Sequence, residues 1–571
     1  MGVSGAVFES VGKRTVHWVP GVYSRRNTVP SGTGTISNNL VIMGQSIGGK
    51  PNTLIPVADV NEARELLVGG QLLDAVAHAF NGSNDFVPQQ VYALRVNKGT
   101  RSSITLKSGG TDILAVKSKD YGIHTSQIKI WVKPGTAANS KKILVNYKGN
   151  EVVQDNIVRQ SFSVKYSGAG TAATMTISKY GLAIAVTAGE PNANMSISWD
   201  ECDTLEALVA RLNDTGLYFA TLIDNRPNVK TTDLDSTMAE SIMDVKILYS
   251  NLNAFCEALA SMQYIGDVEI ISENLFVVPD DNESYEYFSG AIAGTYTVSD
   301  WADSLEFLEE EDVQSVTTPS TDHDVRVLIS NHITSMCQTE KRKERQGICG
   351  LPMGTSIEDG IIAAKELNSE YMSLVMDDAV ANNPLTGSSE IIDPAMLACK
   401  IAGMEAAMGV ATPLTNKQLK VNAFGKKRRM SELNSMIQNG IMPCGINEEG
   451  LLVIIRAMTT YQDDNLGLNE RSCVREALYM DRDLRKAYSR RTGTSSEPSR
   501  DEIVATLLRK AEQWRVLGYI TRSDDGNLVF DIKVRFDGDK TYLEYSKYLR
   551  APNNFTFVTS NNMIYSSAEA A

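Results

Sequence analysis

The predicted fold is decided by three short apolar runs in the middle of the chain: VQSV at residues 313–316, ICGL at 348–351 and YMSLV at 371–375. The stretches between them carry apolar residues at helical spacing, over roughly residues 323–343 and again from Thr355, where Glu358 completes a capping box. Strands that alternate with helices in this way are typical of a parallel sheet covered by helices. The sequence therefore predicts an α/β middle domain.

The same alternation of strand and helix is found upstream, at residues 40–96. An apolar strand at 40–43 and a Gly-rich turn lead into a helix over about residues 61–80. A further strand follows at 91–96. This region is predicted to be the first part of the same α/β domain.

A different pattern begins at residue 98 and separates the two α/β regions. Up to about residue 200 the chain is dense in Thr, Ser, Val and Gly and alternates apolar with polar side chains, which predicts a β-rich module. Helices are predicted at 204–213 and 236–262. We therefore predict a β-rich and helical insertion in the α/β domain.

The two ends of the chain are predicted to differ from the middle. The carboxyl-terminal part favours an α+β domain, with a helix over about 469–488, a second helix from Ser499 to Gly518, and an alternating strand at 528–536. At the amino terminus, VHWVPGVY at 16–23 is β-prone and is followed by Gly- and Ser-rich sequence. Such a segment could extend away from its own domain and pair elsewhere.

The predicted fold class is an α+β multidomain protein with extended N- and C-terminal arms. Its predicted parts are an N-terminal arm (1–34), the first part of the α/β domain (35–97), the inserted module (98–287), the α/β domain continued (288–425), and a C-terminal domain with its arm (426–571).

Composition excludes several classes of function. The 571 residues include 55 Lys and Arg against 69 Asp and Glu, a formal charge of −14, which argues against nucleic acid as the main partner. No apolar run approaches the ~18 residues of a membrane helix, and the amino terminus does not resemble a secretory signal. The seven cysteines are scattered and the histidines number five, so reduced thiols and no metal or cofactor are expected.

The most suggestive chemical motif is the loop GQSIGGK at residues 44–50. It fits the G-x-S-x-G pattern, in which Ser46 would be the nucleophile of an α/β hydrolase, and also the start of a phosphate-binding loop ending in Lys50. Pro51 opposes both interpretations, because it breaks a following helix and offers neither a hydroxyl for Mg²⁺ nor an N–H for phosphate. A Gly-rich turn is favoured, with a hydrolase or nucleotide-binding enzyme as the alternative.

Four other features have both a functional and a plain structural interpretation. The turn at 350–354 lies where α/β folds often bind ligands, and residues 322–324 with His332 could suggest a metal, although a simple turn and helix caps are favoured. The acidic run 300–312 is either a solvated helix face or a charge-complementary subunit contact. The basic cluster 426–429 fits a loop at a protein–protein contact better than a nucleic-acid patch, because no aromatic residues interleave it.

The order of several short elements gives the chain a family resemblance. These elements are PGVY (20–23), MGQ (43–45) with GGKPNT (48–53), GGQLLDA (69–75), YALRV (92–96), SDWADSL (299–305), RQGICG (345–350), IAGMEA (401–406), NGI (439–441), the stretch 453–460 and VREALYM (474–480). In this order, over roughly 500 residues, the chain resembles the contractile-tail sheath proteins of long-tailed bacteriophages, particularly the large sheaths of phages of Gram-positive hosts. It departs from that pattern at YGIH (121–124), where the family has a Trp-Gly-Asn-like turn. It departs again before Arg456, where Ile454 and Ile455 replace a Trp-Gly pair.

The resemblance implies a structural protein of the virion rather than an enzyme. By resemblance, copies of the chain form stacked hexameric rings around a tail tube and contract to drive the tube through the host envelope for genome ejection. The implied partners are other copies, the tail tube protein, and baseplate and tail terminator proteins, with no nucleic acid and no membrane. Assembly is expected in the host cytoplasm.

Two sets of residues are predicted to serve assembly. The candidates for strand exchange between subunits are Val16, Trp18, Val22, Tyr23, Val529, Ile532 and Val534. The candidates for contact with the tube are Arg500, Arg509, Lys510 and Arg515. An ordinary edge strand within the domain and a plain solvated helix face are the respective alternatives.

Overall fold

The structure, a computed structural model, describes residues 38–226, 229–489, 499–560 and 562, together with two short strands at 6–10 and 13–17. Residues 1–37 and 38–571 form two compact units. In the first unit, strand β1 (Ala6–Ser10) pairs antiparallel with strand β2 (Lys13–His17), which contains Val16. The other predicted exchange positions of this arm, Trp18, Val22 and Tyr23, lie outside the described residues.

The second unit opens with β3 (Leu40–Gly44), β4 (Leu54–Val57), α1 (Val60–Leu67), α2 (Gln71–Phe80) and β5 (Val91–Arg95). The prediction of one helix over 61–80 is wrong, because a turn at residues 68–70 separates α1 from α2. Gly70 adopts a φ of 98°, and a Cβ at this position would lie 2.9 Å from the carbonyl oxygen of Gln45. Only glycine combines that backbone angle with so close an approach.

The inserted module follows. Its strands are β6 (Ser103–Ser108), β7 (Thr111–Ser118), β8 (Lys129–Pro134), β9 (Lys141–Tyr147), β10 (Asn150–Ile157), β11 (Gln160–Tyr166), β12 (Ala172–Ser178), β13 (Gly181–Thr187), β14 (Met195–Ser198), β15 (Tyr218–Leu222), β16 (Thr237–Ser241), β17 (Lys246–Tyr249), β18 (Ile265–Ile270) and β19 (Glu286–Tyr287). Its helices are α3 (Leu205–Asn213) and α4 (Asn251–Ala260), with 3-10 turns at Ile123–Gln127 and Thr231–Asp233. Its strands form two four-stranded and two three-stranded sheets of their own.

The prediction of a helix over 236–262 is wrong for its first half. Strand β16 pairs antiparallel with β12, and β17 pairs antiparallel with β11. Helix α4 begins only at Asn251, where the partly buried Asp235 carboxylate accepts hydrogen bonds from the first two helical N–H groups. The sheet partners come from distant parts of the chain, so tertiary pairing overrides the local helical pattern.

The chain then returns to the α/β domain. The elements are α5 (Val298–Leu308), β20 (Ser315–Thr317), α6 (His323–Met336), β21 (Gln346–Gly350), α7 (Ile357–Leu367), β22 (Met372–Val375), β23 (Ala379–Asn382), β24 (Ser389–Ile392), α8 (Pro394–Ala407), β25 (Ala423–Phe424), α9 (Met430–Gln438), β26 (Cys444–Ile446) and β27 (Leu452–Ile454). The three deciding strands are confirmed, whereas α6 is shorter than predicted. The N-cap of α7 is Ser356, which accepts from the Asp359 N–H, and not Thr355.

The carboxyl-terminal elements are α10 (Leu466–Asn469), α11 (Arg471–Ser489), α12 (Arg500–Leu517), β28 (Ile520–Thr521), β29 (Phe530–Asp537), β30 (Lys540–Ser546) and β31 (Tyr548–Leu549). Both ends of α12 are confirmed. The Ser499 hydroxyl accepts from the Glu502 N–H at 3.2 Å, and Gly518 closes the helix in the left-handed conformation with a φ of 85°.

The centre of the second unit is a six-stranded sheet in the order β22-β21-β20-β3-β5-β4. Only β4, at one edge, is antiparallel to its neighbour. Leu40 and Ile42 pack on the side of α2 and α8, and Val41 and Met43 pack on the side of α5, α6 and α7. Because strands before and after the inserted module share this sheet, the module branches from it between β5 and α5.

Helix α8 is buried along nearly its whole length and packs against α2 through small residues. A Cβ at Gly403 would lie 2.1 Å from the Ala79 carbonyl oxygen, so the two helix backbones touch at this point. The cluster around α8 also contains Met442, Cys444 and Ile454. Hydrophobic packing thus runs continuously past residue 426, where the sequence suggested a domain boundary.

Candidate functional site

Four successive N–H groups of the Gly-rich loop at residues 44–50 are already bonded within the chain. Its successive N–H groups donate within the chain, from Ser46 to the Asn97 amide oxygen, from Ile47 to the Gly69 carbonyl and from Gly48 to the Leu67 carbonyl. The Gly49 N–H donates to the Asp120 carboxylate at 2.8 Å. A phosphate loop needs these N–H groups unoccupied. The loop is therefore a structural turn.

Ser46 is equally unsuited to nucleophilic catalysis. It is 4% exposed, and its hydroxyl donates to the Gly48 carbonyl oxygen at 2.6 Å. An activated serine instead donates to a general base that is itself oriented by a third group. The second ligand candidate, the turn at 350–354, is closed in a similar way, since a Cβ at Gly350 would lie 2.1 Å from the Ala395 nitrogen at the start of α8.

The histidines proposed for a metal lie in different environments. His323 is exposed and its ring contacts Asp324 and Glu366, at 3.1 and 2.9 Å. His332 accepts a hydrogen bond from the Arg345 guanidinium at 3.0 Å, and burial followed by the Arg345 charge lowers the pKa of His332 to about 4. Within the described ranges, no three His, Cys, Asp or Glu side chains are grouped so that they could hold a metal ion.

The acidic run at 300–312 is largely partnered inside the chain. Lys98 lies 2.9 Å from Asp300 and 2.7 Å from Asp303, and Lys341 lies 2.6 Å from Glu309. These hydrogen bonds from lysine lower the pKa of Asp300 and of Glu309. The opposite face of α5 is apolar and buried. This distribution fits an amphipathic helix with a charged outer face.

The basic cluster at 426–429 is divided between the interior and the surface. The side chain of Arg428 is 6% exposed and pairs with Asp377 at 2.8 Å, and Asp377 also accepts from the Cys444 N–H. Lys426 lies 3.7 Å from Glu432, and Lys427 is exposed. One of the four charges is therefore part of the folded core.

The four cationic residues predicted to face the tube lie on α12 but differ in their surroundings. Arg500 and Arg509 are exposed. Lys510 is partly buried and pairs with Asp483 at 2.7 Å, and Arg515 pairs with Glu512 at 2.5 Å. Arg500 and Arg509 are therefore better placed than the other two to meet a partner.

The predicted exchange strand at the carboxyl terminus forms a hairpin. Val529 is buried in a small core with Trp514, and Ile532 and Val534 are partly buried. Strand β29 pairs antiparallel with β30, and in the described part of the chain neither strand has a second neighbour. Among the described residues, the hairpin thus has two unpaired outer edges.

A segment that the sequence reasoning missed follows this hairpin. Residues 551–560 contain neither helix nor strand, and Phe555, Phe557 and Val558 are 65%, 92% and 85% exposed. In the described part of the chain, the segment is held at its root, where the Asn554 amide donates to the buried Glu470 carboxylate at 3.1 Å and the Arg456 guanidinium lies over the Phe555 ring. The alternation FTFVT at 555–559, in a stretch without charged residues, was the available signal.

In contrast to these exposed ends, buried charges fasten α11 to the central sheet. Arg471 makes a bidentate ion pair with Glu405, with N–O distances of 2.7 and 2.8 Å, and also donates to the Gly347 carbonyl and the Ser373 hydroxyl. Burial tends to raise the pKa of Glu405, but the charges of Arg471 and Arg475 hold it below its ordinary value. This pair joins α8, α11 and two central strands into one body.

Comparisons with known proteins agree with this architecture. Residues 294–460 match the model of the phage tail sheath protein central domain. The chain is 25% identical over 579 residues to the tail sheath protein of Bacillus phage SP01, covering 96% of each chain. It is 24% identical to a putative tail sheath protein of Enterococcus phage phiEF24C, covering 77% of this chain and 78% of that one. In fold, it is similar to the crystal structure of a sheath tail protein from Listeria innocua, with a TM-score of 0.56 and 11% identity over 90% of this chain and 96% of the other.

Proposed function

The chain belongs to the phage tail sheath proteins, and from that premise we propose that its copies polymerise as stacked hexameric rings around a tail tube. It is a structural component of a contractile tail and not an enzyme. The finer proposal is that copies shift into a more stable arrangement on a baseplate signal and drive the tube through the host envelope. A kinetically trapped extended state would need no nucleotide for this step.

The proposal rests on two observations near the carboxyl end, namely unpaired strand edges and exposed apolar side chains. The hairpin β29–β30 has unpaired edges, and the segment 555–558 exposes large apolar side chains. Unpaired strand edges are templates for strands of another chain, and exposed apolar groups mark contact surfaces. When the unpaired edge and the strand added to it belong to identical chains, the contact is heterologous and can propagate along a helix.

The proposed partners follow from this arrangement. Other copies would supply strands to the hairpin, through the N-terminal residues Val16, Trp18, Val22 and Tyr23 and through the C-terminal segment. The tail tube protein would meet α12 at Arg500 and Arg509. Baseplate and tail terminator proteins would cover the end rings, and assembly would take place in the host cytoplasm before the virion is released.

A truncation after Asn554 tests the role of the C-terminal segment. We expect the shortened chain to remain folded but to lose the hollow tubes that the full chain forms, as measured by sedimentation and negative-stain electron microscopy. Normal tubes from the shortened chain would contradict this role. The matched controls are Ile362→Ser and Met238→Ser, which remove exposed apolar groups from α7 and from the inserted module and should leave tube formation intact.

A deletion of residues 1–23 tests the N-terminal arm in the same assay. The shortened chain should fold as before and fail to polymerise. Strictly monomeric full-length protein at high concentration, under every salt condition tried, would contradict the proposed function as a whole.

Charge reversal at Arg500 and Arg509 tests contact with the tube. The double variant Arg500→Glu and Arg509→Glu should still form tubes from sheath protein alone but should sediment less with tail tubes than the unchanged chain does. This difference should shrink at high salt, because salt screens exposed charges. The control is Lys179→Glu, an exposed charge of the inserted module. Unchanged co-sedimentation of the double variant would remove this surface from the proposal.

A further inference from the structure

The side chain of Arg95 lies at the point where the inserted module leaves the central sheet. Arg95 is the last residue of β5 and its side chain is completely buried. Its guanidinium donates to the carbonyl oxygens of Asn97 at 3.0 Å, Gly49 at 2.8 Å, Tyr121 at 2.9 Å and Ala293 at 3.0 Å. One side chain therefore binds the Gly-rich loop, a turn of the module and the returning chain.

Asn97 reinforces the same connection. Its amide oxygen accepts from the Ser46 N–H at 3.1 Å, and its amide nitrogen donates to the carbonyls of Ser46 and Ala293 at 3.0 and 2.8 Å. Main-chain bonds add to this, because the Thr100 N–H donates to the Ile292 carbonyl and the Gly122 N–H donates to the Thr100 carbonyl. The chain leaving the sheet and the chain returning to it are thus bound to each other and to the central domain.

The glycines around Arg95 show that this region is built for close approach. A Cβ at Gly99 would lie 2.1 Å from an Arg95 guanidinium nitrogen, and a Cβ at Gly122 would lie 2.0 Å from the Ile47 carbonyl oxygen. Gly294 adopts a φ of 74° and faces the Lys98 carbonyl group closely. No side chain larger than hydrogen fits between these segments without moving them.

Arg95 differs in this respect from Arg471, which is also buried. Arg471 binds groups of the central and carboxyl-terminal elements, so its loss would weaken one continuous body. Arg95 binds groups on both sides of the junction between the central sheet and the module. A charged donor that satisfies several backbone carbonyls at once fixes their relative positions, because each bond is directional and costly to leave unmade in the interior.

We infer that Arg95 is a positioning residue that fixes the inserted module on the central sheet and makes the two connecting segments, 97–101 and 289–294, a stiff joint instead of a hinge. The Gly-rich loop at 44–50 is part of this joint, which explains its composition without a ligand. The inference goes beyond the proposed function and does not depend on polymerisation, because the joint lies within a single chain.

Hydrogen exchange on the dissolved full-length chain tests the inference. Arg95→Met and, as a milder change, Asn97→Ala should accelerate exchange of the Thr100, Ser103 and Gly122 amides by about tenfold or more, since each loses bonds of the joint. Amides of β3 in the central sheet and of β13 in the module should keep their rates. Arg95→Lys, which keeps the charge but cannot reach all four carbonyls, should give an intermediate acceleration.

The control is Arg159→Met. Arg159 donates to Asn253 and Glu257 entirely inside the module, so its loss should leave the joint amides unchanged. A general loss of stability would raise exchange in β3 and β13 together with the joint, and that outcome would overturn the inference, as would unchanged joint amides in Asn97→Ala. A joint that loosens selectively in a protein that never forms tubes would uphold the inference while contradicting the proposed function.

Discussion

The central sheet and the carboxyl-terminal hairpin are both built of strands, but they differ in how completely a single chain satisfies them. All residues of β3, β20, β21 and β22 are buried, and both faces of the sheet are covered by helices. Strand β29 is mostly exposed or half-buried and, among the described strands, has one neighbour. The comparison shows that the strands of the central sheet are paired and buried within one copy, whereas among the described residues the hairpin and the segment after it remain largely exposed.

The largest effect on stability is expected from a substitution in the buried part of the chain around the central sheet. Arg471→Met should lower the free energy of unfolding by about 3–5 kcal/mol, because it leaves the Glu405 carboxylate buried without its partner. Urea denaturation of the unpolymerised chain measures the loss. The double variant Arg471→Met with Glu405→Met should recover most of it, and a single-variant loss under about 1 kcal/mol would show that the ion pair does not hold the body together.

A substitution of Lys400 on α8 is expected to have a smaller effect and to raise the free energy of unfolding instead of lowering it. Its ammonium is completely buried and, in the described part of the chain, has no hydrogen-bond partner. Burial, and next the charge of Lys420, lower the pKa of Lys400 to about 7. The unfolded chain binds this proton up to a pH of about 10.5, so stability should rise as the pH increases from about 7 to 10.

Lys400→Met should abolish that rise and stabilise the chain by about 2–4 kcal/mol at pH 7. Thermal or urea unfolding at several pH values is the measurement. An unchanged pH dependence in Lys400→Met would show that the lysine finds a partner in solution. The titratable groups near the Lys400 ammonium are His78 on α2, Lys420 and, through His78, Glu390.

A related but weaker pH effect is expected at His78. Burial, then the charge of Lys400, lower the pKa of His78 to about 4 against the opposing effect of Glu390. The folded state therefore requires the neutral ring, and stability should fall as the pH drops from about 6.5 to 4. His78→Gln should flatten the unfolding profile in this range, and a profile that keeps its slope would assign the effect to other groups.

The smallest effect on stability is expected at the exposed end. Phe557→Ser should change the free energy of unfolding by less than about 0.5 kcal/mol, because the side chain is almost fully exposed. The same variant should nevertheless weaken or abolish tube formation in the sedimentation assay. A clear loss of stability in the unpolymerised chain would mean that Phe557 packs on its own domain, and the contrast between body and end would fail.

Much of the body could be predicted because its signals are local. The runs at 313–316, 348–351 and 371–375 are apolar on both faces, which is the pattern of buried parallel strands. The capping serine and closing glycine of α12 lie next to the helix that they terminate. The prediction of a helix over 236–262 was wrong in its first half because β16 and β17 pair with residues at least sixty positions away in the sequence, and such pairing overrides a local pattern.

The surfaces that we propose for assembly could be predicted less completely. The strand at 529–534 was recognised from its alternation, but its pairing with β30 and the exposure of Phe555, Phe557 and Val558 depend on what the rest of the fold covers. The same holds for α12, where Lys510 forms an ion pair with Asp483 on the neighbouring helix and is therefore less available to a partner. Charge and apolarity are visible in a sequence, whereas exposure and partnership are not.

The class of protein and the order of its parts can be predicted from the sequence, because strand and helix periodicity, caps and a shared order of short elements are properties of neighbouring residues. Which polar groups form hydrogen bonds inside the chain depends on the tertiary structure. The Gly-rich loop that could have bound a phosphate has its N–H groups bonded to distant residues, and Arg95 binds carbonyls of three distant segments. Directional hydrogen bonds of this kind depend on positions in space, and spacing along the chain does not encode them locally.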